Sequence, residues 1–600
     1  ADKKESVEIR FLDQVKKVKA DKDGSWQVEL SPVLYGGPYE LNVKGKDNAI
    51  CLKNILVGEV WLCSGQSNME WVVGNVRDAQ IEIGNADYPL IRSFNVSKDM
   101  SMKPKDDLNG VWTVCSPQTV SDYSAVAYFF ARKLYQELNV PIGIINSSWG
   151  GTDIESWTSA AMFEQLPASF RARYKGVDAE NYDQFAREIE QRKAAYEKAL
   201  TQDPGDVERW YADNYDDSSW KYVSVPGLWK NELIAVDGTV WSRFEVDLPD
   251  SAEGKEATLY LGPIDDNDVT YVNGVKVGST EGHTVERCYN IPAQLLKAGK
   301  NSVTVKIIDT GGDGGLYGKA DDVCLEIEAK RYSLAGEWRY KTGVTKNEFN
   351  YMDISPNMYY ATLFNSMICP ITPFRIKGTI WYQGENNAAN AYNYRSMFPA
   401  LINDWRAQWG YEFPFYWVQL ANFMAKDEEP QESQWAELRE AQTMTLVLPK
   451  TGQAVITDIG QADDIHPRNK QDVGLRLALN ALNKDYGKKN LVCVGPTYKS
   501  MRVDGHKIII SYDHIGSGLV VKNKYGYIEG FAIAGSTGEY HWAKAYLDGS
   551  CVIVYSDEVT DPVHVRYAWS NNPDVNLYNR EGLPAVPFRT DSRRGITQYD

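Results

Sequence analysis

Apolar residues are spaced in three different ways along this chain. In the first fifty-odd residues they alternate with polar ones. Trp26–Leu30 and Tyr39–Val43 both alternate, and Asp23-Gly24 and Gly36-Gly37-Pro38 punctuate them. Residues 1–54 therefore read as a small N-terminal β domain. From Ile55 onward short, almost wholly apolar runs take over: Val60–Cys63, Ile142–Ile145, Thr379–Tyr382, Phe415–Leu420 and Ala454–Thr457. Such runs suit strands buried on both faces. Helix-like stretches, Val126–Leu138 and Ser396–Trp409, lie between them. The alternation predicts an α/β domain with a mainly parallel sheet, in two parts, residues 55–205 and 333–490.

Those two parts are separated by different text. A charged, helix-favouring stretch near Asn181–Leu200 leads into residues 206–332, which read as strands throughout: Val240–Phe244, Ala257–Leu261, Val269–Gly274 and Ser302–Lys306. Asn273-Gly274 between apolar runs is a hairpin-turn signal. The expectation is an inserted β-sandwich. Residues 491–600 return to strands at Lys507–Ser511, Leu519–Lys522, Cys551–Tyr555 and Val563–Trp569, a C-terminal β domain.

Composition narrows the function classes. The net charge of −17, with no run of Lys or Arg, excludes nucleic acid as the expected partner. No apolar stretch is long enough to span a bilayer. The first residue is Ala1 rather than Met, which suggests a removed leader and a periplasmic or secreted protein. Eight cysteines without CxxC spacing argue against zinc and against a disulfide scaffold; Cys288 and Cys324 either pair or stay free. The 18 Trp and 37 Tyr offer flat faces for sugar rings, though large cores use aromatics too.

Four segments carry candidate chemistry, each at the carboxyl end of a predicted strand, where open α/β sheets bind ligands. In Val60–Trp71, Gly65 permits a tight turn that presents Ser67 to a base, with its own N–H facing a developing oxyanion. In Gly143–Asp153 a strand runs into Gly150-Gly151, whose N–H groups are unhindered. In Gly378–Ala388 the Gln383 amide is a possible oxyanion donor. In Ala454–Pro467 stands His466, while the other five histidines all fall in the β regions. A serine hydrolase needs a base of near-neutral pKa, so His466 is the candidate, with Asp463 three residues upstream to orient it. Taken singly, each segment reads as a capped turn or surface loop; their convergence on one sheet edge is the argument.

Gly65–Met69, Gly150-Gly151-Thr152, Trp381–Glu385 and Asp464–Pro467 together resemble the sialate O-acetylesterase family, within the SGNH hydrolase superfamily. The similarity extends into Ala568–Pro587, including Asn572–Asn579. The resemblance implies a three-layer α/β/α domain with a mainly parallel sheet, Ser67 as nucleophile and His466 as general base. It also implies an oxyanion hole from the N–H groups of Ser67, Gly150 and Gly151 with the Gln383 amide. For the acid, the superfamily pattern Asp-x-x-His fits Asp463, while acetylesterases with a Gln-Gly-Glu block offer Glu385; Asp463 is preferred, and Asp464 has less obvious reach. The insert resembles the jelly-roll sugar-binding domain found beside many β-glycosidase catalytic domains, through Trp241–Phe244, Leu261–Asp268 and Tyr271–Gly274. The expected substrate is an acetylated sugar, with no metal or organic cofactor. A glycosidase and a non-catalytic carbohydrate-binding protein are the rivals from other classes.

Overall fold

A computed structural model describes residues 1–174, 180–233 and 236–598. It divides into two compact units, Ala1–Asp178 with Pro356–Asp600, and Ala179–Ser355.

The first unit is built on a seven-stranded sheet. Its strands are β1 Glu59–Gly65, β2 Tyr88–Val96, β3 Gly110–Cys115, β4 Ile142–Ser148, β5 Gly378–Tyr382, β6 Phe415–Val418 and β7 Thr451–Ala454. In space they run β7-β6-β5-β1-β4-β2-β3. Every neighbouring pair is parallel except β2 with the edge strand β3. The apolar runs occupy the centre: Trp61, Leu62, Ile380, Trp381 and Trp417 have no exposed surface. Trp381 meets Trp157 and Trp405 edge-on at 6.2 and 5.7 Å. Such pairs contribute about 0.5–1.5 kcal/mol each beyond their buried area.

Four long helices accompany the sheet: α1 Ala125–Leu138, α2 Ala391–Trp409, α3 Gln434–Met444 and α4 Lys470–Lys484. α1 starts where Ser124 caps the Ala127 N–H, and it ends at Asn139 in the left-handed region. It packs against α4, while α2 packs against α3. The register carries the most weight for function, because Tyr382 of β5, Gly65 of β1 and Ser148 of β4 lie side by side. Three central strands thus end level, and the turns after them share one edge.

Two sequence expectations shift here. β7 stops at Ala454, so Val455–Thr457 leave the sheet and begin the loop towards His466. Residues 26–30 form no strand, since their alternation finds no neighbour to pair with; the N-terminal sheet is built instead from Gln14–Lys19, Ser6–Phe11, Gly36–Lys44 and Ala49–Val57, paired in that order. The C-terminal stretch forms antiparallel sheets around Ile508, Ile510, Phe531, Ile533, Val554 and Tyr567.

The second unit holds two six-stranded antiparallel sheets around one core that includes Leu259, Leu261, Val305, Ile307 and Trp338. Asn273 and Gly274, at φ +48° and +81°, turn the hairpin between Asn267–Val272 and Val275–Thr280. The unit also takes in Gly336–Thr345, which pairs with Gly238–Leu248. The helix Tyr182–Leu200 belongs to it as well, packing Ile189 and Tyr196 on Val344 and Tyr351.

Among the described residues no helix is long and apolar enough to cross a membrane. Cys288 and Cys324 lie on strands either side of Tyr260. Two strand spacings separate them by roughly 10 Å, beyond disulfide reach, and both are free thiols. All eight cysteines should therefore react with a thiol reagent in denatured, unreduced protein; a count of six would show a crosslink.

Candidate active site

The site begins with a backbone constraint. Gly65 closes β1 at φ +140°, and a Cβ there would lie 2.0 Å from the Tyr382 carbonyl oxygen. Only glycine tolerates that approach. The Gln66 N–H donates to the same carbonyl at 3.0 Å. The chain turns over the end of β5, and half-buried Ser67 opens the short helix Ser67–Glu70. The Ser67 N–H makes no hydrogen bond among the described residues.

β4 delivers the second turn. The Trp149 N–H donates to the Gly65 carbonyl at 3.1 Å, and a Cβ at Gly150 would stand 3.1 Å from the Ser67 Cβ. Gly151, at φ +68°, faces open space and its N–H is uncommitted among the described residues. The Gly150 N–H is engaged: it donates to Glu70 Oε2 at 2.7 Å, and Glu70 Oε1 pairs with Lys98 at 2.6 Å.

His466 arrives on a loop held at several points. Asp458 receives Arg476 through two hydrogen bonds, at 2.6 and 2.8 Å. The Gly460 N–H donates to Asn422 Oδ1 at 2.7 Å, and Asn422 in turn donates to Asn572 at 2.8 Å. The imidazole stacks on Trp71, four residues past Ser67, with ring centres 5.0 Å apart and planes 14° from parallel. Asn68 Nδ2 donates to the Ile465 carbonyl at 2.9 Å. The Ser67 turn and the His466 loop are thus joined by a stack and by a hydrogen bond.

The carboxylate nearest the imidazole is not the expected one. Asp463 is exposed and touches no part of His466, whereas Asp464 Oδ1 lies 3.6 Å from His466 Nδ1 and accepts the His466 N–H at 2.8 Å. A carboxylate two residues back reaches the ring because the loop folds into an Asx turn there. Glu385 makes no hydrogen bond or ion pair with the imidazole among the described residues; it accepts from Asn68 at 2.6 Å. Gln383 is fully buried, and both its amide protons are used, on Thr152 O at 3.1 Å and Asn387 Oδ1 at 2.5 Å. Its oxygen accepts from Tyr394 at 2.9 Å. Among the described residues the N–H groups of Ser67 and Gly151 carry no hydrogen bond, while the Gln383 amide is a brace between Thr152 and Asn387.

Comparison with known proteins gives the family. The family model for carbohydrate esterases described as sialic acid-specific acetylesterase matches residues 57–200 and 343–483. A solved carbohydrate acetylesterase from Xanthomonas citri is 31% identical, covering 99% of this chain and 94% of that one, with a TM-score of 0.65. The chain belongs to this esterase family. Mouse sialate O-acetylesterase is 27% identical over 97% of this chain and 87% of its own length. The human enzyme is 25% identical over 96% and 84%.

In this carboxylic ester hydrolase, residues that sequence reasoning passed over complete the site. Trp71 and Asn68 fall inside the first candidate segment; Lys470 carries a clearer signal, a lysine in step with Val473 and Leu477 on the buried face of α4. Burial and the Lys470 charge push the His466 pKa below its usual value, with Asp464 acting the other way. A base must be unprotonated, so a lowered pKa extends activity towards acid. The acid limb of kcat/KM should fall below about pH 6.5, the ordinary histidine value, as a rate–pH profile would show. At 3.6 Å Asp464 acts by charge rather than by a hydrogen bond. Asp464→Asn should lower kcat/KM about three- to tenfold and move that limb further to acid, while Asp463→Asn should stay within about twofold. The reverse order in the measured rates would restore Asp463 as the partner.

Proposed function

We propose that the chain is a serine esterase that removes O-acetyl groups from sugars, sialic acids first among them. The observation that carries this is that the Ser67 turn and the His466 loop are tied together: Ser67 has a free N–H on a forced turn, the imidazole stacks on Trp71 four residues further on, and Asn68 donates to the Ile465 carbonyl. His466 takes the Ser67 proton as the hydroxyl attacks the acetyl carbonyl. The N–H groups of Ser67 and Gly151 hold the oxyanion, and each such donor is worth about a hundredfold or more in rate. His466 then returns its proton to the departing sugar hydroxyl. Water, activated by the same imidazole, releases acetate from Ser67.

The supporting α/β domain reads as an SGNH-type three-layer α/β/α fold, and the second unit as a jelly roll. Acetylated glycans outside the cytoplasm are the natural targets of such an enzyme, which puts it in the periplasm or in secretions. A broader glycan specificity is the second reading, since the relative with the highest identity quoted above is a carbohydrate acetylesterase. Acetate release from 9-O-acetylated sialic acid and from acetylated xylan, assayed in parallel, separates the two. Ser67→Ala should abolish both, by about four orders of magnitude or more. Release that survives the substitution would exclude Ser67 as nucleophile.

A further inference from the structure

The first residue of α4 is a lysine with no exposed surface. An ammonium in such a place loses its hydration, and the loss must be offset by polar neighbours. Lys470 forms no ion pair among the described residues. Its Nζ donates to Asn68 Oδ1 at 2.5 Å and lies 5.5 and 5.7 Å from the ring centres of Tyr382 and Trp71. Asn68 uses its other end completely: Nδ2 donates to Glu385 Oε1 at 2.6 Å and to the Ile465 carbonyl at 2.9 Å. The amide is polarised between a cation and an anion. Flipped by 180°, it would set N–H against the ammonium and oxygen against the carboxylate.

We propose that Lys470 is a positioning residue of the esterase: its buried ammonium orients the Asn68 amide that ties the Ser67 turn to the His466 loop, and it sets a positive charge beside the Trp71–His466 stack. The inference rests on the reading of Ser67 and His466 as nucleophile and base. Asn68 follows the nucleophile in the chain, and Ile465 precedes the base. One amide therefore spans the two backbones whose separation decides whether Ser67 and His466 meet, and a catalytic geometry loses rate steeply when misplaced.

The charges around the pair are few. His466 faces Asp464 from its own loop and Lys470 from α4. Lys470 faces Glu385 from beyond β5, and Asp464. Burial lowers the Lys470 pKa to about 7, with Glu385 and Asp464 acting the other way. A cation there disfavours imidazolium and keeps the base ready to accept a proton.

Hydrolysis of 4-nitrophenyl acetate, which needs no sugar recognition, tests this across pH 5–9 in the wild type, Ser67→Ala, Lys470→Gln and Lys470→Met. Lys470→Gln keeps a donor for Asn68 Oδ1 and removes the charge; Lys470→Met removes both. Both lysine variants should move the acid limb of kcat/KM up by about half a pH unit or more. Lys470→Met should also lower kcat about tenfold, with Lys470→Gln retaining most of it. A lysine that only fills space would leave the limb where it is in both variants. An unmoved limb in Lys470→Gln overturns the inference, as does full kcat in Lys470→Met. Where Lys470→Met melts below the assay temperature, the limb in Lys470→Gln decides. Activity that persists in Ser67→Ala overturns the underlying nucleophile assignment instead, whatever the lysine variants do.

Discussion

The site depends on how closely the end of β1 approaches the end of β5. Gly65 sits so near the Tyr382 carbonyl that no side chain fits between them, and the Gln66 N–H takes that same oxygen. The chain has one way forward, over the end of β5, and Ser67 follows immediately. Because Gly65 is level with Ser148 across the other neighbour, the Gly150 turn falls against Ser67 as well. Parallel pairing makes this possible: strands that run the same way deliver their following turns to one edge. The large buried aromatics of the sheet, Trp61, Trp381 and Trp417, lock that register, since a slip would have to displace them.

Around the turns the protein ties charged and polar groups, several of them buried, to defined partners. Glu70 bridges Gly150 and Lys98, Asn68 bridges Lys470, Glu385 and Ile465, and Arg476 holds Asp458. Arg439 is the extreme case. It is wholly buried, its hydrogen bonds go to the carbonyls of Leu420, Ala421, Ser570 and Asn571, and burial lowers its pKa to about 9. Those carbonyls belong partly to the α/β domain and partly to the C-terminal stretch, and Asn422–Asn572 joins the same two regions beneath the histidine loop. The C-terminal β domain is thus a brace for the His466 loop. Buried networks of this kind are stiff, because a displaced member leaves an unpaired polar group in a medium of low dielectric. The rigid placement of His466 follows from that.

Much of this arrangement was legible in the chain. The fully apolar runs at Val60–Cys63, Ile142–Ile145, Thr379–Tyr382 and Phe415–Leu420 all became strands of one sheet, since runs buried on both faces have few other homes. Asn273-Gly274 turned its hairpin for the local reason that both residues accept positive φ. Trp26–Leu30 shows where the same logic stops: alternation makes a strand only when a neighbour is present. The histidine count singled out His466, but the partner at its Nδ1 depended on a turn. Asp463 and Asp464 differ by one position in the sequence, and the folding of the loop put one in solvent and the other against the ring.

By itself, then, the sequence determined the elements, their order, and which turns would gather at the sheet edge, because hydrophobic period and glycine placement act over a few residues. Tertiary structure decided which polar atoms are still free once the edge is assembled. Gln383 looked like a donor and became a brace, because Thr152 and Asn387 reached its amide first. The Gly150 N–H was claimed by Glu70, eighty residues earlier in the chain. Lys470, whose place on an apolar helix face was visible, took its meaning only from Asn68, 402 residues away. Hydrogen bonds are short and directional, so their pairing follows distances between atoms that only the packed chain sets.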